Sequence, residues 1–247
     1  MEIYYKNGSI SPADVVKFLG FNGQWRPVCF EIIRNREVMK KAKELGIAIT
    51  DDELQGFADS YRIARGLRTT GDMLAFLQQA GMTEDDFEFF CETSVLAEKV
   101  KARLADAKRI EEHFVNFRAE YDLARISVIF VQDESLAREI VVQTTEEDED
   151  FHKLARKHSV DATTKYAGGY AGVLSRGMLP AEVSAKVFTA NSGEVIGPFK
   201  TGGLFHLILV EEVMKADLND STKGLIRERI FGEWMSQFLS DNITIVQ

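Results

Sequence analysis

Four histidines, two cysteines and a few loop acids and serines are the residues of this 247-residue chain that could do chemistry. His113, His152, His158 and His206, with Cys29 and Cys91, show no CxxC pair and no Cys/His spacing of a metal site. Ser159 and Ser175 lack the histidine and acid context of a hydrolase. Gly168-Gly169 is too short for a phosphate loop and follows no strand. No cofactor is implied. Two groups remain: Asp161 in a loop, and His206 inside the apolar run Phe205-His-Leu-Ile208. An acid or an imidazole can shape the field around a carbonyl group. Each also has a plain structural role, Asp161 as a loop cap and His206 as a satisfied core histidine. His113, His152 and His158 have charged helical neighbours and read as surface residues.

Composition narrows the partners. Hydrophobic residues make up 45% and charged residues 28%, as in ordinary globular proteins. A net charge of -9 argues against nucleic acid and anionic membranes, which favour basic faces. No run approaches the roughly 18 apolar residues of a membrane span, so membrane insertion is not expected. The segment Met1 to Gly8 lacks the basic and apolar regions of a signal peptide, which leads to the expectation of a cytoplasmic protein. Cys29 and Cys91 lie in helical apolar patterns and are expected as core thiols rather than a disulfide.

The elements that must position Asp161 and His206 follow from periodicity. Ser11-Pro-Ala-Asp14, Thr50-Asp-Asp-Glu53 and Thr83-Glu-Asp-Asp86 are helix starts, each followed by apolar residues at helical spacing. Helices are predicted in series to about residue 120. The run Ala124 to Gln132 is β-branched and apolar and predicts a buried strand. Two helices, a Gly-rich loop, a strand, a helix and two strands about Gly202-Gly203 complete a βααβαββ order, an α+β domain. A last helix from about Ser221 carries Leu225, Ile226, Ile230, Trp234, Phe238 and Leu239, and Ile243 to Val246 suggests a final strand. So apolar a helix needs a partner surface, and the N-terminal helices can supply it.

Residues 124–211 resemble the parvulin family of peptidyl-prolyl isomerases. The resemblance rests on Val131-Gln-Asp-Glu-Ser-Leu-Ala137, Phe151-His-Lys-Leu-Ala155, Ser159-Val-Asp161, Gly168-Gly169, Ser175-Arg-Gly177, Gly193-Glu194, Gly197-Pro198 and Phe205-His-Leu-Ile208, in this order and spacing. Residues 10–120 and 220–247 resemble the helical domain of the SurA and PrsA chaperones, through the Thr50 helix start, the Ala80-Gly-Met-Thr83 turn and the Trp234 helix. The resemblance implies an α+β chain. One domain is helical, 1–120 completed by 219–247, and the other is a parvulin-like unit, 121–214, with a four-stranded, mainly antiparallel sheet.

It also implies a site. Asp161 matches the polar catalytic position and His206 the second of two facing histidines. Val128 replaces the first, or Ser127 if the alignment shifts by one residue. Ala171, Leu179 and Val183 stand where the family has bulkier cup residues, so the cup is expected to lose bulk and its aromatic wall. Phe188 and Thr201 match positions near the pocket. The implied substrates are unfolded or precursor polypeptides containing proline. The implied activity is weak prolyl isomerisation, with a non-catalytic peptide-binding chaperone or a dedicated precursor escort as alternatives.

Overall fold

The computed structural model describes residues 3–6 and 8–242; the strand expected at Ile243 to Val246 lies outside them. Contacts divide the chain into two compact units, 1–108 with 227–247 and 109–226. The first opens with a hairpin of β1 (Ile3–Tyr5) and β2 (Gly8–Ile10). Five helices follow: α1 (Pro12–Phe21), α2 (Trp25–Glu44), α3 (Asp51–Ala64), α4 (Thr70–Ala80) and α5 (Glu84–Leu104). Ser11, Thr50, Thr69 and Thr83 each accept the backbone N–H three residues on, and Asp14, Glu53, Asp72 and Asp86 reach back to complete a capping box. Four starts are therefore fixed by local hydrogen bonds before any packing.

The core of this unit joins both chain ends. Val38 and Ala42 of α2 and Val100 of α5 are buried with Phe231 and Met235 of α10 (Asp220–Asn242). Lys101 sits between Glu98 and Glu228, at 2.9 and 2.7 Å. Of the predicted stripe of α10, Ile226 and Ile230 are buried and Trp234, Phe238 and Leu239 pack against this core; Phe231 and Met235 join them, and only Leu225, 58% exposed, falls outside. Apolar residues lie on several sides of this helix, so periodicity alone cannot choose the face. Phe57, Tyr61, Phe76, Phe87 and Phe90 form an aromatic cluster across α3, α4 and α5. Cys91 is buried and Cys29 half-buried, and both are free thiols.

The second unit holds one antiparallel sheet in the order β4 (Tyr170–Ser175), β3 (Leu123–Val131), β6 (Leu204–Met214), β5 (Glu194–Thr201). One face packs on α7 (Glu134–Thr145) and α8 (Phe151–His158), burying Ile129, Val131 and Leu207 with Ile140, Phe151 and Leu154. The other packs on α9 (Ala181–Val187), burying Ile126, Val128, Ile208 and Val210 with Val183, Val187 and Phe188.

Most of α6 (Ala107–Phe117) groups with the sheet unit, as do the residues up to 120 that the sequence places with the helices. Arg118 donates to the Ala216 carbonyl and Arg176 to that of Ala119, while buried Asp122 accepts from Ala216 N–H and Lys215. His113 is a correction to the surface reading. It is buried, with Nε2 2.9 Å from the Tyr121 hydroxyl and its ring 4.7 Å from that of Phe117. Ile110 and His113 share one helical face, which turns inward, with Phe117 41% exposed at its end, while Glu111 and Glu112 face solvent.

Candidate functional site

Strand alternation decides which side chains can meet. Along β3, Ile126, Val128 and Phe130 face α9, while Ser127, Ile129 and Val131 face the other side. On β6, His206 lies opposite Phe130, and Ile208 lies opposite Val128. Val128 is therefore the diagonal neighbour of His206 on one face, within cross-strand reach of a long side chain. Ser127 is fully buried on the opposite face and donates to Glu211 at 2.6 Å. Of the two residues, Val128 and not Ser127 shares a face with His206.

His206 is only 7% exposed and its Nδ1 has no hydrogen-bond partner among the described residues. Phe130 and Phe199 flank it, with ring centroids 5.4 and 5.5 Å away, the second nearly parallel. The predicted cup positions Ala171, Leu179 and Val183 carry no aromatic ring, and the rings nearest His206 come from elsewhere. Phe130 and Phe199, absent from the predicted site, supply two aromatic neighbours to His206. The signal for both was present in the cross-strand pairing, which needs the register to be known. Burial drives the His206 pKa below the ordinary imidazole value, which keeps the ring neutral at physiological pH.

The predicted cup residues separate by depth. Val128, Val183 and Phe188 are buried in one cluster with Phe199 and Ile208, and Ala171, Leu179 and Phe130 pack at its edge. The Arg176 guanidinium lies 4.2 Å from the centre of the Phe188 ring. Thr201 is exposed at the end of β5 and lies outside this cluster.

Asp161 sits in the loop after α8. That loop extends the edge of β3: Ser159 Oγ accepts from Phe130 N–H at 3.2 Å, and Val160 N–H donates to the Phe130 carbonyl at 2.8 Å. The Asp161 carboxylate accepts from the backbone N–H groups of Thr163 and Thr164 and, at 2.6 Å, from the Thr164 hydroxyl. The Thr164 hydroxyl, more than any other group, holds this carboxyl below its ordinary range. Those bonds make it a loop cap.

The neighbouring glycines bring the next loop onto β3. Gly169 has φ +88°, and its carbonyl accepts from Val128 N–H at 2.8 Å. A Cβ on Gly169 would lie 2.7 Å from the Val128 carbonyl oxygen, so only glycine fits. His152 Nδ1 lies 2.9 Å from the Gly168 carbonyl, so this histidine ties the loop to α8 and is more than the surface residue the sequence suggests. His158 is half-buried. Among the described residues no group of histidines, cysteines and acids could hold a metal ion.

With this geometry in hand, residues 132–212 match the family described as rotamase, the PPIC-type PPIASE domain. Residues 132–212 are a parvulin-type rotamase domain. The chain is 24% identical over 226 residues to the foldase protein PrsA of Caldanaerobacter subterraneus, covering 91% of this chain and 68% of that protein. It is 28% identical to foldase protein PrsA 2 of Listeria innocua, covering 68% of this chain and 57% of the relative. The chain thus spans between just over half and two thirds of these relatives. The crystal structure of PrsA from Bacillus anthracis superposes with a TM-score of 0.52 at 21% identity, covering 89% of this chain and all of that one. The chain has the PrsA-like architecture of a helical unit built from both ends around a parvulin domain.

The buried imidazole of His206 makes stability depend on pH. A histidine whose folded pKa is depressed takes up its proton first in the unfolded chain. Stability from the neutral buried ring is therefore complete above the unfolded value of about 6.5 and is lost as pH falls towards the folded value. His206→Phe should remove that loss together with an unsatisfied buried nitrogen, stabilising the domain at acid pH by roughly 1–3 kcal/mol. Urea melts of both proteins at about pH 5 and pH 8 check this; parallel losses on acidification would show that His206 is not the titrating group.

Proposed function

We propose that this chain helps unfolded or precursor polypeptides to fold, and that its parvulin domain binds proline-containing segments but turns the X–Pro bond over slowly. Uncatalysed rotation takes roughly tens to hundreds of seconds against a barrier of about 18–20 kcal/mol. A catalyst must hold the twisted amide better than either planar isomer. The observation that carries the reading is the site around His206. The apolar face with Phe130, Phe199 and Val183 persists, while Val128 leaves His206 Nδ1 without a partner. Apolar burial can hold a client. An imidazole with nothing to fix its tautomer and orientation is a poor electrostatic catalyst.

Client binding should survive Asp161→Ala, because the Asp161 carboxylate is already engaged by Thr163 and Thr164 of its own loop. Titration of wild type and variant with an unfolded, proline-free polypeptide and with its folded form tests this. The expected result is similar affinity of the two proteins for the unfolded form and little for the folded one, since only the unfolded chain exposes apolar segments. Loss of binding in the variant, or equal affinity for both forms, would overturn the reading. Cytoplasmic residence belongs to the same proposal, and cell fractionation tests it.

A further inference from the structure

α3 is a helix with an unfinished interface: none of its residues is fully buried, although it packs against α5. Beside it lie two cavities of about 290 and 330 Å³ that share Gln55, Ala58 and Phe87, and so form one groove along α3 and α5 with α4 walling one end. Its apolar lining includes Leu54, Leu74, Leu77 and Phe87. Leu74 is 49% exposed, which is a large aliphatic side chain held open to solvent beside a concave surface.

The charges lining this groove are uneven. Asp51, Glu84 and Glu88 contribute three carboxylates against the single cation of Arg62. Arg62 Nη1 lies 3.4 Å from Asp59, but its Nε is buried and donates to nothing among the described residues. A buried donor of this kind gains from any acceptor brought to it, and a main-chain carbonyl is the acceptor every polypeptide carries.

We propose that the α3–α4–α5 groove is a polypeptide-docking site that takes an apolar segment flanked by lysine or arginine. The segment's aliphatic side chains cover Leu74, Leu77 and Phe87, a backbone carbonyl accepts from Arg62 Nε, and the basic flanks meet Asp51, Glu84 and Glu88. This rests on the reading of the chain as a binder of unfolded polypeptides and adds to it a location and a charge preference.

The test uses the full chain and a fluorescein-labelled, proline-free peptide of alternating leucine and alanine with lysines at each end, beside a twin ending in glutamates. Fluorescence anisotropy at low salt should show the lysine peptide bound about tenfold more tightly than its twin. Glu84→Gln/Glu88→Gln should bring the two near parity. Leu74→Asp, at an exposed position, should weaken both by about tenfold while leaving tetrapeptide isomerisation unchanged. Thermal melts confirm that each variant folds; should Leu74→Asp fail to fold, the glutamine pair reads the groove alone. Wild-type binding that is indifferent to both variants overturns the groove but leaves the folding-helper reading standing. A wild type that binds no unfolded polypeptide overturns both. A change in sedimentation in place of peptide affinity would make the occupant a second copy of the chain and likewise sink the proposal.

Discussion

Val128→His should raise the rate of prolyl cis–trans exchange in a tetrapeptide by about tenfold or more, the largest change in activity expected from one substitution here. Val128 and His206 share a face on adjacent strands, one pair out of register, and His206 Nδ1 has no partner among the described residues. An imidazole at 128 can exchange a hydrogen bond with it, fixing the tautomer and orientation of His206. Loss of a single preorganised donor in other enzymes costs about 10²- to 10³-fold, so a partial gain on restoring one is the conservative expectation. Val128→Phe is the control, since it adds bulk at the same place without a donor or acceptor. A rise in both variants would assign the effect to cup volume. A rise in neither, with both folded, would show that the missing histidine is not what limits this domain.

Phe231→Ala should destabilise the helical unit by about 3–5 kcal/mol and leave the parvulin domain's own transition in place. Phe231 is 5% exposed in the cluster of Val38, Ala42, Val100 and Met235, and Lys101 approaches its ring at 5.4 Å. Its truncation opens a void where α2, α5 and α10 meet. Denaturation followed at Trp25 and Trp234, both in the helical unit, against amide exchange in β3 and β6 separates the two transitions. Equal losses in both units would mean that they unfold as one.

Several features were readable from the residues alone. The helix starts at Ser11, Thr50 and Thr83 were legible because a capping box is a pattern over four adjacent positions. The change from helix to strand at β3 was legible because β-branched residues crowd there. Phe130 and Phe199 were missed as companions of His206. The first lies in a strand that reads as simply apolar, and the second lies beyond a register shift between Ile196 and Phe199. His113 was misread because its charged sequence neighbours say nothing of the face it shares with Ile110.

By itself the sequence determined the order and type of the elements and the apolar character of the last helix, because these depend on neighbouring residues or on a spacing repeated along one element. Only the tertiary structure decided that Phe130 and Phe199 flank His206, and that Phe231 and Met235 join the stripe of α10 in the helical core while Leu225 stays exposed. Those outcomes depend on which strands pair in which register and on which side of a helix meets its partner. Residues far apart in the chain set both, and no local pattern records them.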